Sequence, residues 1–252
     1  MSEESYALSA QYRGHRSFLG RQVYAVCVRW IFWVSLIGVV CTGLPFLAPV
    51  LAHFGWTGPA KAIYAVYSLF CHQLPQRSYF LFGSQFTYSL IEIQSAWKIS
   101  TNPLVLRQFI GNPEMGWKVA WSDRMVWMYT SILIFGLLWW WLRHRLRPLS
   151  WAGLILFLLP MAVDGTTHFI SDLTGIGQGF RYDNMWLATL TREAFSQGFY
   201  MGDAWGSFNS LARLFTGVVF GMGIAWFGYP YLDDFFMGVL SLLHARGRII
   251  GR

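Results

Sequence analysis

From Trp30 to Ala52 the chain runs for roughly 23 residues without an aspartate, glutamate, lysine or arginine. About 20 apolar residues in a helix cross the hydrocarbon core of a bilayer, where every backbone amide must be satisfied within its own segment. The stretch therefore predicts a membrane-spanning helix. Three further runs repeat the pattern: Met125–Leu142, a segment starting at Leu149, and Leu211–Tyr229. Only 12% of the residues are charged, about half the fraction of a soluble domain. The expected fold is all-α: a polytopic integral membrane helical bundle of about four transmembrane helices, with re-entrant or surface helices added. One bundle domain, 23–244, is expected between basic tails at 1–22 and 245–252.

The net charge of +7 points to lipid rather than nucleic acid, because most of the excess sits in short clusters beside apolar runs. Arg21 and Arg29 precede the first span. The second ends in Trp139-Trp140-Trp141, an interfacial aromatic band, followed by Arg143, Arg145 and Arg147. Arg246, Arg248 and Arg252 close the chain. With four spans all three clusters fall on one side, so the positive-inside rule places both ends in the cytoplasm of a cell-membrane protein. Three cysteines without a CxxC pair exclude a disulfide framework and a four-cysteine zinc module.

Between the spans the pattern is less regular. Lys61–Phe70 and Tyr79–Ile91 are short apolar runs, and Pro75 disfavours one helix through both. Two short helices meeting at Cys71-His72-Gln73-Leu74-Pro75 are expected, with Ile99–Asp123 as loop. Leu173–Ser207 is rich in glycine and longer than a passive connector, which predicts a lid or docking surface. Inside it, Asp183-Asn184 is placed to cap a short helix through Trp186 and Leu190.

The third span carries the unusual chemistry. Pro160-Met161-Ala162-Val163-Asp164-Gly165-Thr166-Thr167-His168 places an acid and an imidazole four residues apart, hence on one helix face, with Asp172 a turn further on. An ionisable group inside a membrane helix is costly and marks a candidate site. Counting from Leu149, Asp164 lies about 22 Å along the helix, in the outer part of the bilayer on the extracytoplasmic side.

Three stretches carry a resemblance. Phe70-Cys71-His72-Gln73-Leu74-Pro75-Gln76-Arg77-Ser78-Tyr79, the Pro160–His168 run, and Asn209-Ser210-Leu211-Ala212-Arg213-Leu214-Phe215-Thr216-Gly217 are similar to three signatures of a bacterial and archaeal membrane family. It is the domain-of-unknown-function family numbered two thousand and eighty-five. The family's Cys-x-Arg element stands here as Ser122-Asp123-Arg124, and His168 stands where glutamine is more frequent. The resemblance implies a fold and a site rather than a reaction.

Two functions follow. In the first, Cys71, His72, Asp164 and His168 hold a divalent metal such as zinc. Asp164 and His168 are then catalytic, and Arg77, Asn209 and Arg213 bind an anionic, lipid-like substrate, making a hydrolase or transferase. In the second, the protein is a non-catalytic subunit or binding module of a larger membrane complex. Its polar residues then only tie helices together, through a pair such as Asp164–Arg213 or Asp164–Arg77. The partners expected are the bilayer and other membrane subunits.

Overall fold

The computed structural model describes residues 18–249, with side chains described from 20 to 243. Most of the two basic tails therefore lies outside the described residues. Helix α1 (Phe18–Val28) passes through Arg29 into α2 (Trp30–His53), which continues across Pro45 and Pro49. After α3 (Thr57–Tyr67) come a 3-10 turn at Pro75–Arg77 and strand β1 (Ser78–Leu81). Helices α4 (Leu90–Ala96) and α5 (Pro103–Leu106) lead to strands β2 (Gly111–Asn112) and β3 (Gly116–Ser122), and β3 runs directly into α6 (Asp123–Leu142). Helix α7 (Trp151–Asp172) is capped by the Ser150 hydroxyl, which accepts from Gly153 N–H. Three short helices follow, α8 (Phe180–Asp183), α9 (Met185–Thr191) and α10 (Gln197–Tyr200), before the long α11 (Phe208–Ile249).

Among the described residues, four helices are long and apolar enough to cross a membrane: α2, α6, α7 and Phe208–Leu243 of α11. Each matches an expected span. Their outward faces, such as Leu36, Ile37, Val39 and Val40 on α2, are exposed and apolar, as a lipid-facing surface requires. Helices α6 and α11 pack closely through glycine: a Cβ on Gly221 would stand 1.9 Å from Ser131 Oγ and 2.6 Å from the Met128 carbonyl oxygen.

The two ends of the bundle differ. At one end Trp30 packs against Trp139, Tyr229 and Phe236, and its indole N–H donates to Asp233 Oδ1 at 2.9 Å. At the other end sits a cap. Its three strands form an antiparallel sheet in the order β1-β3-β2, with Phe80 opposite Lys118 and Gly111 opposite Trp117. Ala48 and Ala52 of α2 let Ala120 and Trp121 of β3 and Tyr64 and Tyr67 of α3 pack closely against the span. Gly116 has φ +75°, and a Cβ there would lie 2.3 Å from the Leu81 carbonyl oxygen. Only glycine fits that turn.

Three expectations are corrected. Tyr79–Ile91 is not a second short helix: its first residues form β1, which pairs with β3. Ile99–Asp123 is not featureless loop, because β3 is a buried central strand; its Trp117-Lys118-Val119-Ala120-Trp121 sequence is β-prone, and a lysine in the middle disguises it. The last span, expected over Leu211–Tyr229, does not stop there, since α11 continues through Pro230. The Leu173–Ser207 segment does contain the helix expected near Trp186. Asn184 precedes it in the left-handed region, and no side-chain cap bond is made.

Candidate functional site

Where the cap meets the bundle, eight charged side chains from four helices, the 3-10 turn and the loop converge. Arg213 of α11 binds Asp123 at the start of α6 through Nε (2.8 and 2.9 Å) and Nη2 (2.7 Å). Its Nη1 reaches Asp203 Oδ1 at 2.7 Å. Asp203 also accepts from Arg77 Nε at 2.9 Å, and Arg77 grips both oxygens of Asp172, at the end of α7, at 2.6 and 2.8 Å. On the neighbouring face of α7, Asp164 takes Arg181 Nη2 on Oδ1 at 2.6 Å and Arg124 Nη2 on Oδ2 at 2.7 Å. Thr216 Oγ1 stands 3.5 Å from the same Oδ2.

Burying such charges unpaired costs several kcal/mol each. Here the guanidiniums and carboxylates compensate each other. Burial pushes the Asp203 carboxyl upward, but Arg77 and Arg213 outweigh it and hold the group below the usual carboxylate range. Burial works against the charge of Arg77 as well, and Asp203 and Asp172 reverse that, holding its pKa above the ordinary value. Around this chain lies a cavity of about 10 Å³, lined by Arg77, Ser171, Asp172, Arg181 and Asp203, close to the space one water needs.

The backbone around Arg181 is clamped. Its carbonyl accepts from Asn184 Nδ2 at 2.9 Å and Asn209 Nδ2 at 2.5 Å, and Asn209 also donates to the Gly202 carbonyl at 2.8 Å. Asn209 is thus committed to the loop backbone. His168 is 4% exposed, with Nε2 3.0 Å from Arg181 Nη2 and 3.8 Å from Asp164 Oδ1. Since guanidinium can only donate, Nε2 accepts and the ring proton belongs on Nδ1. Thr167 bonds back to the Val163 and Asp164 carbonyls, as is common in membrane helices.

Cys71 and His72 belong to a different neighbourhood. The Cys71 sulfur accepts from the backbone N–H of Gln73 and Ser122 and lies 3.4 Å from Ser122 Oγ, while His72 is exposed. Gln73 is the clip of this motif: at φ 52° its side-chain amide donates to the Tyr64 and Ala120 carbonyls, tying α3 to β3. Behind it Lys118 is fully buried, with Nζ 2.7 Å from the carbonyls of both Gln73 and Arg107.

Among the described residues, no group of three or more His, Cys, Asp or Glu side chains is gathered to hold a metal. The set Cys71, His72, Asp164 and His168 is therefore not supported, for a physical reason: arginines occupy both Asp164 oxygens. The expected pairs of Asp164 with Arg213 or Arg77 are replaced by Arg124 and Arg181. Asp203 and Arg181, inside the glycine-rich loop, carried no signal beyond their charge, and Arg124 was marked only as the arginine of the Ser122-Asp123-Arg124 element.

Residues 114–227 match the family model described as predicted membrane protein (DUF2085). The chain is similar to that family. The DUF2085 match takes in α6, α7, the loop helices and the first half of α11, and so the network residues other than Arg77; the Cys71 stretch lies before it. An uncharacterised protein of Methanocaldococcus jannaschii is 32% identical over 133 residues, half of this chain and 64% of that protein's length. The chain thus spans somewhat less than two thirds of this relative. No solved structure matches.

Proposed function

We propose that the protein is a non-catalytic binding module of the cell membrane: a four-span anchor that holds a polar cap rigid at its outer face. One observation carries the reading. Both oxygens of Asp123, Asp164, Asp172 and Asp203 accept from a guanidinium. A general base needs an oxygen that can turn to the proton it removes, and a metal competes with a guanidinium for the same carboxylate oxygens. A network paired oxygen by oxygen instead fixes α6, α7, α11 and the loop in one arrangement.

The basic run Arg143–Arg147 follows α6 at the end opposite the cap. By the positive-inside rule that end is cytoplasmic and the cap extracytoplasmic. Bilayer lipid and other membrane subunits are the partners such a module serves.

Purified full-length protein in detergent tests the reading. Metal content and hydrolysis of phospholipid and phosphate-ester substrates are measured beside Asp164→Asn and His168→Ala. The expected result is less than stoichiometric metal and no turnover above that of Asp164→Asn. Stoichiometric zinc lost in His168→Ala, or turnover abolished by Asp164→Asn, overturns it in favour of the metal enzyme.

A further inference from the structure

The charge of the network is unevenly divided. Asp123, Asp172 and Asp203 share Arg77 and Arg213, whereas the single carboxylate of Asp164 serves both Arg124 and Arg181. The Asp164 side therefore holds one guanidinium more than it has carboxylates. Burial lowers the pKa of Arg181 and Asp164 does not restore it, in contrast to Arg77, which two carboxylates raise.

Two donors on this side also lack acceptors. Arg181 is 7% exposed and His168 4%, and neither Arg181 Nε nor His168 Nδ1 has a hydrogen-bond partner. A buried donor left unpaired costs about 1–3 kcal/mol, more when charged. Both atoms are N–H groups, so what they call for is an acceptor, and beside surplus guanidinium an anionic one.

Arg181 also lines a groove of about 390 Å³ between α7 and the loop helices, walled by Val163, Thr167, Phe180, Asp183, Met185 and Trp186. That volume falls within the range of ligand sites. Its lining is mostly apolar. Val163, Phe180, Met185 and Trp186 are exposed, and Leu159, Phe169 and Ile170 on the same span are exposed beside them. On a membrane-spanning helix such a face meets hydrocarbon, so the groove opens sideways into the bilayer. A hydrocarbon chain fits its walls, and an acidic head fits the Arg181–Thr167 edge, while Asp183 Oδ1 accepts from the Met185 backbone N–H at 3.2 Å.

We propose that this groove binds an anionic phospholipid of the outer leaflet, one chain along Val163, Phe180, Met185 and Trp186 and the phosphate at Arg181, completing the Arg124–Asp164–Arg181 cluster. A phospholipid supplies both the chain and a phosphate, which arginine matches bidentately. The proposal rests on the binding-module reading and names its ligand.

Native mass spectrometry of the detergent-solubilised full chain, titrated with phosphatidylglycerol and with phosphatidylcholine of identical chains, tests it. One phosphatidylglycerol is expected to bind about tenfold more tightly than phosphatidylcholine, a difference of about 1.4 kcal/mol. Val163→Trp and Met185→Trp fill the groove from its two walls without touching the ion pairs, and Arg181→Gln removes the guanidinium charge. Each is expected to lose the preference, and either groove variant with an unchanged melting temperature suffices. Equal binding of the two lipids, or phosphatidylglycerol binding untouched in a folded groove variant, overturns the site and leaves the module reading standing. A mass change showing cleavage of the bound lipid overturns the module reading and leaves the site standing.

Discussion

Arg213 and Asp203 are ten residues apart in sequence, and the guanidinium holds both the carboxylate of Asp203 and its backbone carbonyl, each at 2.7 Å. The same guanidinium holds Asp123, ninety residues earlier. One side chain of a membrane span thus closes the 173–207 loop onto the start of another span. The loop expected to be a lid is latched by this pair.

Asp203→Ala should open the latch, because it leaves both Arg77 and Arg213 short of a carboxylate. Breaking a buried pair by removing one partner costs about 3–5 kcal/mol. The expected outcome is a large fall in melting temperature in detergent and new protease cleavage within residues 173–207. In the intact protein the same group sets an acid limit. Its folded pKa lies below the unfolded value of about 3.9, so its stabilisation is complete above that value and is lost as pH falls toward the depressed folded pKa. Acid unfolding of the loop, followed by proteolysis at stepped pH, checks this.

Lys118 gives the opposite limb. Burial draws its ammonium down to about 7, and a neutral amine has two N–H donors for its two carbonyl partners. Between about 7 and the unfolded value of about 10.4 the unfolded chain binds more protons, so stability rises with pH. Melting temperature should increase from pH 7 to pH 9, below tyrosine ionisation. In Lys118→Met the slope should vanish, and Cys71→Ser in both backgrounds separates the neighbouring thiol.

Gly221→Ala should destabilise the bundle, since the added methyl meets Ser131 Oγ and the Met128 carbonyl. Overpacking costs about 1–3 kcal/mol. Gly228→Ala is the control, with nothing within 4 Å of its Cβ position. Equal melting temperatures for the two variants would contradict the close α6–α11 contact.

Ser122→Cys should form a disulfide with Cys71, whose sulfur already lies 3.4 Å from the serine oxygen across a separation of 51 residues. A closed loop of that size adds about 2–4 kcal/mol. A reductant-sensitive gain in melting temperature, absent from the double variant that also carries Cys71→Ser, is the expected signature.

The four spans, their ends near His53, Leu142 and Asp172, and the presence of an acid and an imidazole inside the third span were legible in the amino-acid order. Hydrophobic length and a charge inside an apolar run are local properties, set by the thickness and dielectric of a bilayer whatever the rest of the chain does. Partner choice is not local. Arg77 finds Asp203 across 126 residues and Asp172 across 95, and nothing near Arg77 distinguishes these acids from Asp164 or Asp123. The strand at Gly116–Ser122 likewise exists only because β1 and the small residues of α2 receive it, and α11 holds its helix through Pro230 with Tyr229 packed on Trp30 and Trp139. Sequence determined where the membrane runs; tertiary packing alone decided which charges meet, because pairing energy depends on distance in space.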